Sequence, residues 1–187
     1  RRRLTAQTVT RFGLGFAPDT WDSLVRAMKV LGYSEQELFD GGLVRHGRSG
    51  GVYDTFRNRL MFPVIDVRGN VIGFSGRILG DGEPKYMNSP ETIVFSKSHN
   101  LFALNLAKKS KCGYIILAEG NIDVASLHQA GFDSAVASLG TSLTPEQARL
   151  LSRYTSEIVI AYDNDGAGQK ASQRAIGILE KLEVRVR

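Results

Sequence analysis

The 187-residue sequence has a single cysteine, Cys112, and lacks any apolar run of about 18 residues. One cysteine excludes an internal disulfide and a four-cysteine zinc site within this chain. Without a long apolar run, no transmembrane helix is expected, and no apolar stretch of a signal peptide follows the initial "RRR". These absences favour a cytoplasmic protein in a reducing compartment.

The net charge of +5 is distributed unevenly along the chain. Residues 1–112 carry 17 Lys and Arg against 10 Asp and Glu, whereas residues 113–187 carry 7 against 9. A basic half joined to a mildly acidic half suggests an anionic polymer bound beside a site built from carboxylates. A solvated surface with random charge drift would give the same numbers, so charge alone does not decide.

The first half predicts a mixed α+β fold. A helix is predicted from a cap at Asp19 or Thr20 through about Leu31. Its apolar residues recur at helical spacing: Trp21, Leu24, Val25, Met28 and Leu31.

Two further local patterns follow in this half. In "SEQELFDGG", Ser34 and Glu37 predict a capping box at the start of a short helix. In "RLMFPVIDVRGNVIGFSGRIL", two apolar runs flank a turn at Gly69 and Asn70, which predicts a β-hairpin.

The second half alternates apolar strands with amphipathic helices. The strands are "YIILAEG", "SAVASLG" and "EIVIAYD", with "EVRVR" as the start of a fourth. The helix at 143–154 opens with Thr144 as N-cap and Pro145 at its first position. This alternation predicts a parallel sheet with helices on its faces.

Acidic residues follow two of these strands. Glu119 ends the first, and Asp163 and Asp165 end the third. The strand between them ends in small and polar residues: Ser138, Gly140 and Thr141. Because parallel sheets carry their sites at the carboxyl ends of strands, the acids stand where chemistry is expected.

Three interpretations of Asp163 and Asp165 compete. An EF-hand is rejected, because Ala167 and Arg174 would occupy its fifth and twelfth positions. Either acid can cap the following helix, although one acid suffices for that. The third interpretation is a magnesium site that also includes Glu119, since Mg²⁺ takes one or two carboxylates plus substrate phosphates. In phosphoryl transfer, two such ions lie about 3.5–4 Å apart.

The motifs also resemble a known family. "LAEGNIDV" and "AYDNDGAG" resemble the Toprim domain of primases, type IA and II topoisomerases and related nucleases. "FGLGFAP", "VASLGTSLTPEQ" and the long stretch from "RNRLMFP" to "PKYMNSPET" resemble the RNA polymerase domain of DnaG-type bacterial primases. The sequence departs from the family pattern in "EGNID" and "DND", although neither change removes a carboxylate.

The resemblance implies an α/β fold in two parts. Residues 1–112 would form a basic, mixed α+β N-terminal subdomain, and residues 113–187 a Toprim parallel-sheet subdomain truncated at its C-terminal end. The implied function is synthesis of short RNA primers on single-stranded DNA by metal-dependent nucleotidyl transfer. Another Toprim enzyme, a topoisomerase or nuclease, and a non-catalytic nucleic-acid-binding fragment remain alternatives.

The resemblance also implies roles for individual residues. Glu119, Asp163 and Asp165 would be catalytic and would hold Mg²⁺ or Mn²⁺, with Asp123 in support. The implied nucleotide- and template-binding residues are Lys85, Tyr86, Asn88, Lys97, Arg77, Arg57, Arg59 and Arg11. Solvated surface charge is the alternative for any one of the basic residues.

The implied partners are those of the bacterial replisome in the cytoplasm. They are the single-stranded DNA template, nucleoside triphosphates, the RNA primer and a replicative helicase, the last bound through regions outside this chain. The family also has a zinc-binding domain and a further acidic pair, so we expect the chain to be a fragment whose isolated activity is in doubt.

Overall fold

The computed structural model describes residues 4–48, 50–140 and 142–187. Among these, two compact units are distinguished. The parallel-sheet unit contains the described part of Arg1–Phe12 together with Val64–Val71 and the described part of Lys97–Arg187. The antiparallel unit contains the described part of Gly13–Pro63 together with Ile72–Ser96. The sequence predicts a boundary between residues 112 and 113. The two compact units are not divided at that point, and the predicted boundary stays a prediction.

Up to residue 96, the described residues form short helices and mainly antiparallel strands. The elements are α1 (Ala6–Phe12), β1 (Gly15–Ala17), α2 (Ser23–Val30), α3 (Glu35–Asp40), β2 (Val44–His46), β3 (Val52–Asp54), β4 (Arg59–Ile65), β5 (Val71–Ile78) and β6 (Tyr86–Asn88). One sheet has the order β1-β4-β5-β6, and β2 pairs with β3 separately. The pairs β1–β4, β5–β6 and β2–β3 are antiparallel.

From residue 104 onward, strands alternate with helices, as the sequence predicts. The elements are α4 (Leu104–Ala107), β7 (Ile115–Ala118), α5 (Asn121–Gln129), β8 (Ala135–Ala137), α6 (Pro145–Ser152), β9 (Glu157–Ala161), α7 (Gly166–Leu179), a 3₁₀ turn (Glu180–Leu182) and β10 (Arg185–Val186). The sheet order is β10-β9-β7-β8, and all of its pairs are parallel. None of the described helices has the length and hydrophobicity needed to cross a membrane.

The core of the parallel-sheet unit lies around the inner strands β7 and β9. All four residues of β7 are buried, as expected for an inner strand of a parallel sheet with both faces covered. Helices and strands both contribute fully buried side chains to this core: Leu117, Val136, Leu151, Ile158 and Leu179.

Two predicted helix starts are confirmed. Ser34 caps α3 and Thr144 caps α6, each through a complete capping box. Glu37 and Gln147 supply the reciprocal side chains, and Pro145 stands at the start of α6. These starts depend on residues three positions apart, so they are readable from the sequence.

The predicted turn between β4 and β5 is also confirmed. Gly69 adopts a φ of +102°, which glycine reaches without steric cost. The Asp66 carboxylate accepts backbone N–H bonds from Arg68 and Asn70 at 2.8 and 2.9 Å. These bonds, with that of Asn70 the largest contribution, lower the pKa of Asp66.

The predicted start of α2 is wrong. The helix begins at Ser23, and Trp21 lies before it with 65% of its surface exposed. The N-cap residue Asp22 makes no side-chain capping bond. The buried carboxylate of Asp54, on β3, instead accepts the N–H groups of Leu24 and Val25 at 2.8 and 3.0 Å. A cap from about thirty residues away leaves no local sequence pattern.

Replacing Asp54 with alanine should destabilise the antiparallel unit. The N–H groups of Leu24 and Val25 would lose their acceptors, so we expect the free energy of unfolding to fall by about 2 kcal/mol. Asp54→Asn, which keeps one acceptor oxygen, should lose less. Urea denaturation followed by circular dichroism measures the change, with exposed Asp81→Ala as control. Equal midpoints for Asp54→Ala and Asp81→Ala would show that this cap is unimportant.

Candidate active site

The inner strands of the parallel sheet end together at one edge. Ala118 of β7 pairs with Ala161 of β9, so the residues after them leave the sheet side by side. Glu119 directly follows β7, and Asp163 is the second residue after β9. This is the edge at which open parallel sheets carry their sites.

Glu119 and Asp163 are joined by a hydrogen bond. The Asp163 backbone N–H donates to Oε2 of Glu119 at 3.2 Å. Both residues are exposed, so their carboxylates are accessible to a ligand from solvent. The bond fixes the start of the acidic segment to the end of β7.

Asp165 caps α7. Its Oδ1 accepts the N–H groups of Ala167 and Gly168 at 3.0 and 2.7 Å. The structural interpretation of this carboxylate is therefore correct. It does not exclude a second role, because Oδ2 accepts no hydrogen bond from the described residues.

Gly168 lies where the first turn of α7 passes over Asp163. A Cβ atom on Gly168 would lie 2.0 Å from the carbonyl oxygen of Asp163, far inside van der Waals contact. The helix and the acidic segment can approach this closely only because residue 168 has no side chain. The glycine therefore sets the position of the Asp163 backbone.

Tyr162 lies between β9 and Asp163 and was not singled out from the sequence. Burial, and to a smaller extent the Glu119 carboxylate, raise its pKa to about 12. The phenol is therefore neutral at physiological pH and is poorly suited to act as a base.

Asp123 belongs to the first turn of α5, beside the same edge. A Cβ on Gly120 would lie 3.3 Å from Oδ2 of Asp123, which places this carboxylate against the residue after Glu119. Of the intervening strand's end, Ser138 is buried and Gly140 exposed, while Thr141 lies outside the described residues.

The acidic side chains at this edge suit a divalent ion that takes some of its ligands from water and substrate phosphates. Across the described residues, no group of three or more His, Cys, Asp or Glu side chains is arranged to hold a metal. The donors present are exposed carboxylates, the oxygen ligands that Mg²⁺ combines with water and substrate phosphates. Glu119, Asp163 and the second oxygen of Asp165 thus fit Mg²⁺ in the chemistry of their donor atoms, and their joint role as a metal site stays a prediction.

In the antiparallel unit, Arg77 and Lys85 border a pocket of about 390 Å³. Arg77 pairs across the strands with Tyr86, and its guanidinium lies 5.9 Å from that ring's centroid. Asn88 pairs with Ser75 farther along the same strands. Asp81 and Glu83 line the same pocket, so its two cations face two carboxylates, and phosphate binding by Arg77 and Lys85 stays a prediction.

Arg57 and Arg59 have different surroundings. Arg59 is buried and donates to the carbonyl oxygens of Gly76 and Pro84 at 3.1 and 3.0 Å. Burial, then the charge of Arg57, lowers its pKa. These contacts give Arg59 a structural role, and nucleotide binding by it stays a prediction. Arg57 is half-buried and stacks on aromatic rings.

Lys97 and Arg11 belong to the parallel-sheet unit. Lys97 is half-buried, and its carbonyl oxygen accepts a bond from Gln147. Arg11 is exposed at the end of α1, near His128. Burial is the main cause that lowers the pKa of His128, with the Arg11 charge adding to it. Neither basic residue is placed by its contacts in a binding role, so both roles stay predictions.

Known families match both halves of the chain. Residues 1–108 match the family described as DNA primase catalytic core, N-terminal domain. The chain belongs to this family. Residues 113–187 match the Toprim domain.

Relatives and solved structures agree with this assignment. A DNA primase of Clostridium acetobutylicum is 52% identical over 181 residues, covering 96% of this chain and 30% of the relative. The zinc-binding and RNA polymerase domains of the Aquifex aeolicus primase have a TM-score of 0.92 at 39% identity, covering 99% of this chain and 46% of that one. A DnaG primase catalytic domain bound to single-stranded DNA has a TM-score of 0.84 at 42% identity, with coverages of 94% and 55%. The chain spans about 30% of the length of the curated relatives.

Gly168→Ala should disturb the acidic edge. The added Cβ forces α7 away from Asp163, so we expect a loss of about 3 kcal/mol in the free energy of unfolding. Gly177→Ala in the same helix is the matched control, because its Cβ would contact nothing within 4 Å. That change should raise stability by about 0.5–1 kcal/mol, since alanine favours helix. Denaturant melts of both variants test this, and a Gly168→Ala protein as stable as Gly177→Ala would contradict the close approach.

Proposed function

We propose that the chain forms part of the catalytic core of an enzyme that synthesises short RNA primers on single-stranded DNA by nucleotidyl transfer. The observation that carries the proposal is the joined Glu119 and Asp163 at the carboxyl edge of β7 and β9, in a chain whose relatives are named DNA primase. Open carboxylates at this edge suit a reaction on phosphate.

The proposed reaction joins a primer 3′-hydroxyl to a nucleoside triphosphate. The hydroxyl oxygen attacks the α-phosphorus, the bond to the β-phosphate breaks, and pyrophosphate leaves with the electron pair. Glu119, Asp163 and Asp165 are the residues that would hold Mg²⁺ or Mn²⁺. Such an ion lowers the pKa of the attacking hydroxyl and neutralises charge on the phosphate oxygens.

The basic residues would bind the polyanionic reactants. Arg77 and Lys85, beside the pocket of the antiparallel unit, are suited to phosphates of the template or the triphosphate. Tyr86 adds an aromatic ring for stacking. Binding through such contacts weakens steeply as salt rises, because each neutralised phosphate releases counterions.

A non-catalytic nucleic-acid-binding fragment is the second candidate. The observation in its favour is the capping of α7 by Asp165, which explains this carboxylate without any metal. The family match to a primase core speaks against a topoisomerase or a nuclease.

Asp165→Asn separates the catalytic from the structural role of this carboxylate. Asparagine caps helices about as well as aspartate, so stability should hold. Loss of the negative charge should lower primer synthesis by about 100-fold or more, as expected when charge stabilisation at phosphate is removed. The assay is metal-dependent primer synthesis on single-stranded DNA by the complete protein.

Asp163→Asn should behave in the same way, and Glu180→Gln at the end of α7 is the control that should leave synthesis unchanged. If Asp163→Asn and Asp165→Asn fold and still synthesise primers at the normal rate, the acids are structural and the catalytic assignment fails.

A further inference from the structure

Gln147, in the first turn of α6, is fully buried and has three hydrogen-bond partners. Its Oε1 accepts the backbone N–H of Thr144 at 3.1 Å, which completes the capping box. Its Nε2 donates to the carbonyl oxygens of Lys97 and Asn100, both at 2.8 Å. Because carbonyl oxygens can only accept, these partners fix which way the amide faces.

The capping box alone does not explain a glutamine at this position. Glutamate supplies the same acceptor to an N-cap residue and serves equally well in such a box. Only the amide of glutamine can also donate, and its two N–H groups reach carbonyl oxygens 50 and 47 residues back in the chain. Gln147 thus joins the start of α6 to the turn at residues 97–100.

Thr144, the N-cap residue of α6, binds the same turn. Its hydroxyl oxygen accepts the N–H of Gln147 at 3.1 Å, and its O–H donates to the carbonyl oxygen of Ser98 at 2.6 Å. Three carbonyl oxygens of the turn, those of Lys97, Ser98 and Asn100, therefore accept bonds from two side chains at the start of α6. These bonds fix the backbone that carries Lys97.

The turn lies past the carboxyl edge of the parallel sheet. Ala137, the last residue of β8, exchanges two backbone hydrogen bonds of 2.9 and 3.3 Å with Phe102 in an antiparallel arrangement. The residues that precede Phe102 therefore run beyond the end of β8. Since β8 is the parallel neighbour of β7, whose end carries Glu119, the turn and the acidic residues stand at the same edge.

Lys97 is placed to reach a ligand that is held at the acidic residues. Neighbouring strands lie about 4.8 Å apart, so the segment beside β8 is displaced from β7 by roughly 10 Å. The half-buried Lys97 carries its ammonium group on a four-carbon stem that covers part of this distance. An extended anion such as a triphosphate, bound at Glu119 and Asp163, is suited to span the remainder.

We propose that Gln147, assisted by Thr144, is a positioning residue that fixes the turn at 97–100 so that Lys97 meets a phosphate of the incoming nucleoside triphosphate. Gln147 itself contacts only the protein and acts through Lys97. This inference rests on the proposed function, because it takes the triphosphate as the ligand. In the sequence, "LTPEQ" indicates no more than the start of a helix.

Gln147→Glu tests the positioning role in primer synthesis by the complete protein. Glutamate keeps the acceptor for the Thr144 N–H but turns a carboxylate oxygen toward two carbonyl oxygens, so the turn should detach. We expect the KM for nucleoside triphosphate to rise about tenfold and kcat to stay within about twofold, as for loss of a charged phosphate contact made before and during reaction. Ser152→Ala, at the exposed end of α6, is the control and should change neither constant.

A Lys97→Ala background shows whether Gln147 acts through Lys97. Lys97→Ala alone should raise the KM for nucleoside triphosphate by about tenfold. Adding Gln147→Glu to it should raise the KM no further, because the group that Gln147 positions is already gone. A general structural defect would instead multiply the two effects.

Thr144 offers a second pair of variants, which decides the question should Gln147→Glu fail to fold. Glycine is tolerated at an N-cap, so Thr144→Gly removes the bond to Ser98 at little cost in stability. It should raise the KM by about threefold, as for loss of one hydrogen bond that holds the turn. Thr144→Ser keeps the hydroxyl and should match the unaltered protein.

The contrary outcomes are distinct from failure of the proposed function. An unchanged KM in folded Gln147→Glu or in Thr144→Gly would overturn the positioning role, as would equal multiplication of KM by Gln147→Glu with and without Lys97. Weaker binding of the DNA template at an unchanged nucleotide KM would overturn the assignment to the triphosphate. All of these leave primer synthesis in place, whereas an unaltered complete protein that makes no primers would contradict the proposed function itself.

Discussion

The carbonyl oxygen of Asp163 lies 2.0 Å from the place where a side chain on Gly168 would begin, and the acidic edge depends on this contact. It allows α7 to start directly over the acidic segment. The Asp163 N–H then reaches Glu119, and the Asp165 carboxylate reaches the first turn of the helix. One missing side chain thus permits the helix start that Asp165 caps, next to the single hydrogen bond, from Asp163 to Glu119, that joins the two acidic segments.

Much of the fold follows from patterns that are local in the sequence. From β7 to β10, short apolar strands alternate with helices whose apolar residues recur at helical spacing, and this alternation can be read from the sequence. The caps of α3 and α6 depend on residues three positions apart. The start of α2 was predicted wrongly, and the cause is physical. Its cap, Asp54, comes from a distant strand, and Trp21, which fits the helical spacing, instead carries Arg57 in front of the helix.

The shared sheet edge of the acidic residues could be predicted from the sequence, whereas the contacts that position them could not. Glu119, Asp163 and Asp165 follow apolar strands, so their common edge could be inferred from the parallel sheet. The close approach at Gly168 and the burial of Tyr162 depend on how α7 packs, which no spacing encodes. For the same reason, Arg57 and Arg59 look alike in "RNR", although Arg57 stacks on the rings of Trp21 and Tyr53 and Arg59 donates to backbone carbonyls.

Paramagnetic relaxation by Mn²⁺ tests most directly whether the acidic edge is a cation site. In a ¹⁵N-labelled sample of the chain, a small amount of Mn²⁺ should first broaden the amide signals of Gly120, Asn164 and Gly166, which adjoin the three acids. The amide of Gly177, at the far end of α7, should stay sharp. Broadening centred on other carboxylates, or none at these positions, would contradict the proposal that Glu119, Asp163 and Asp165 bind the metal.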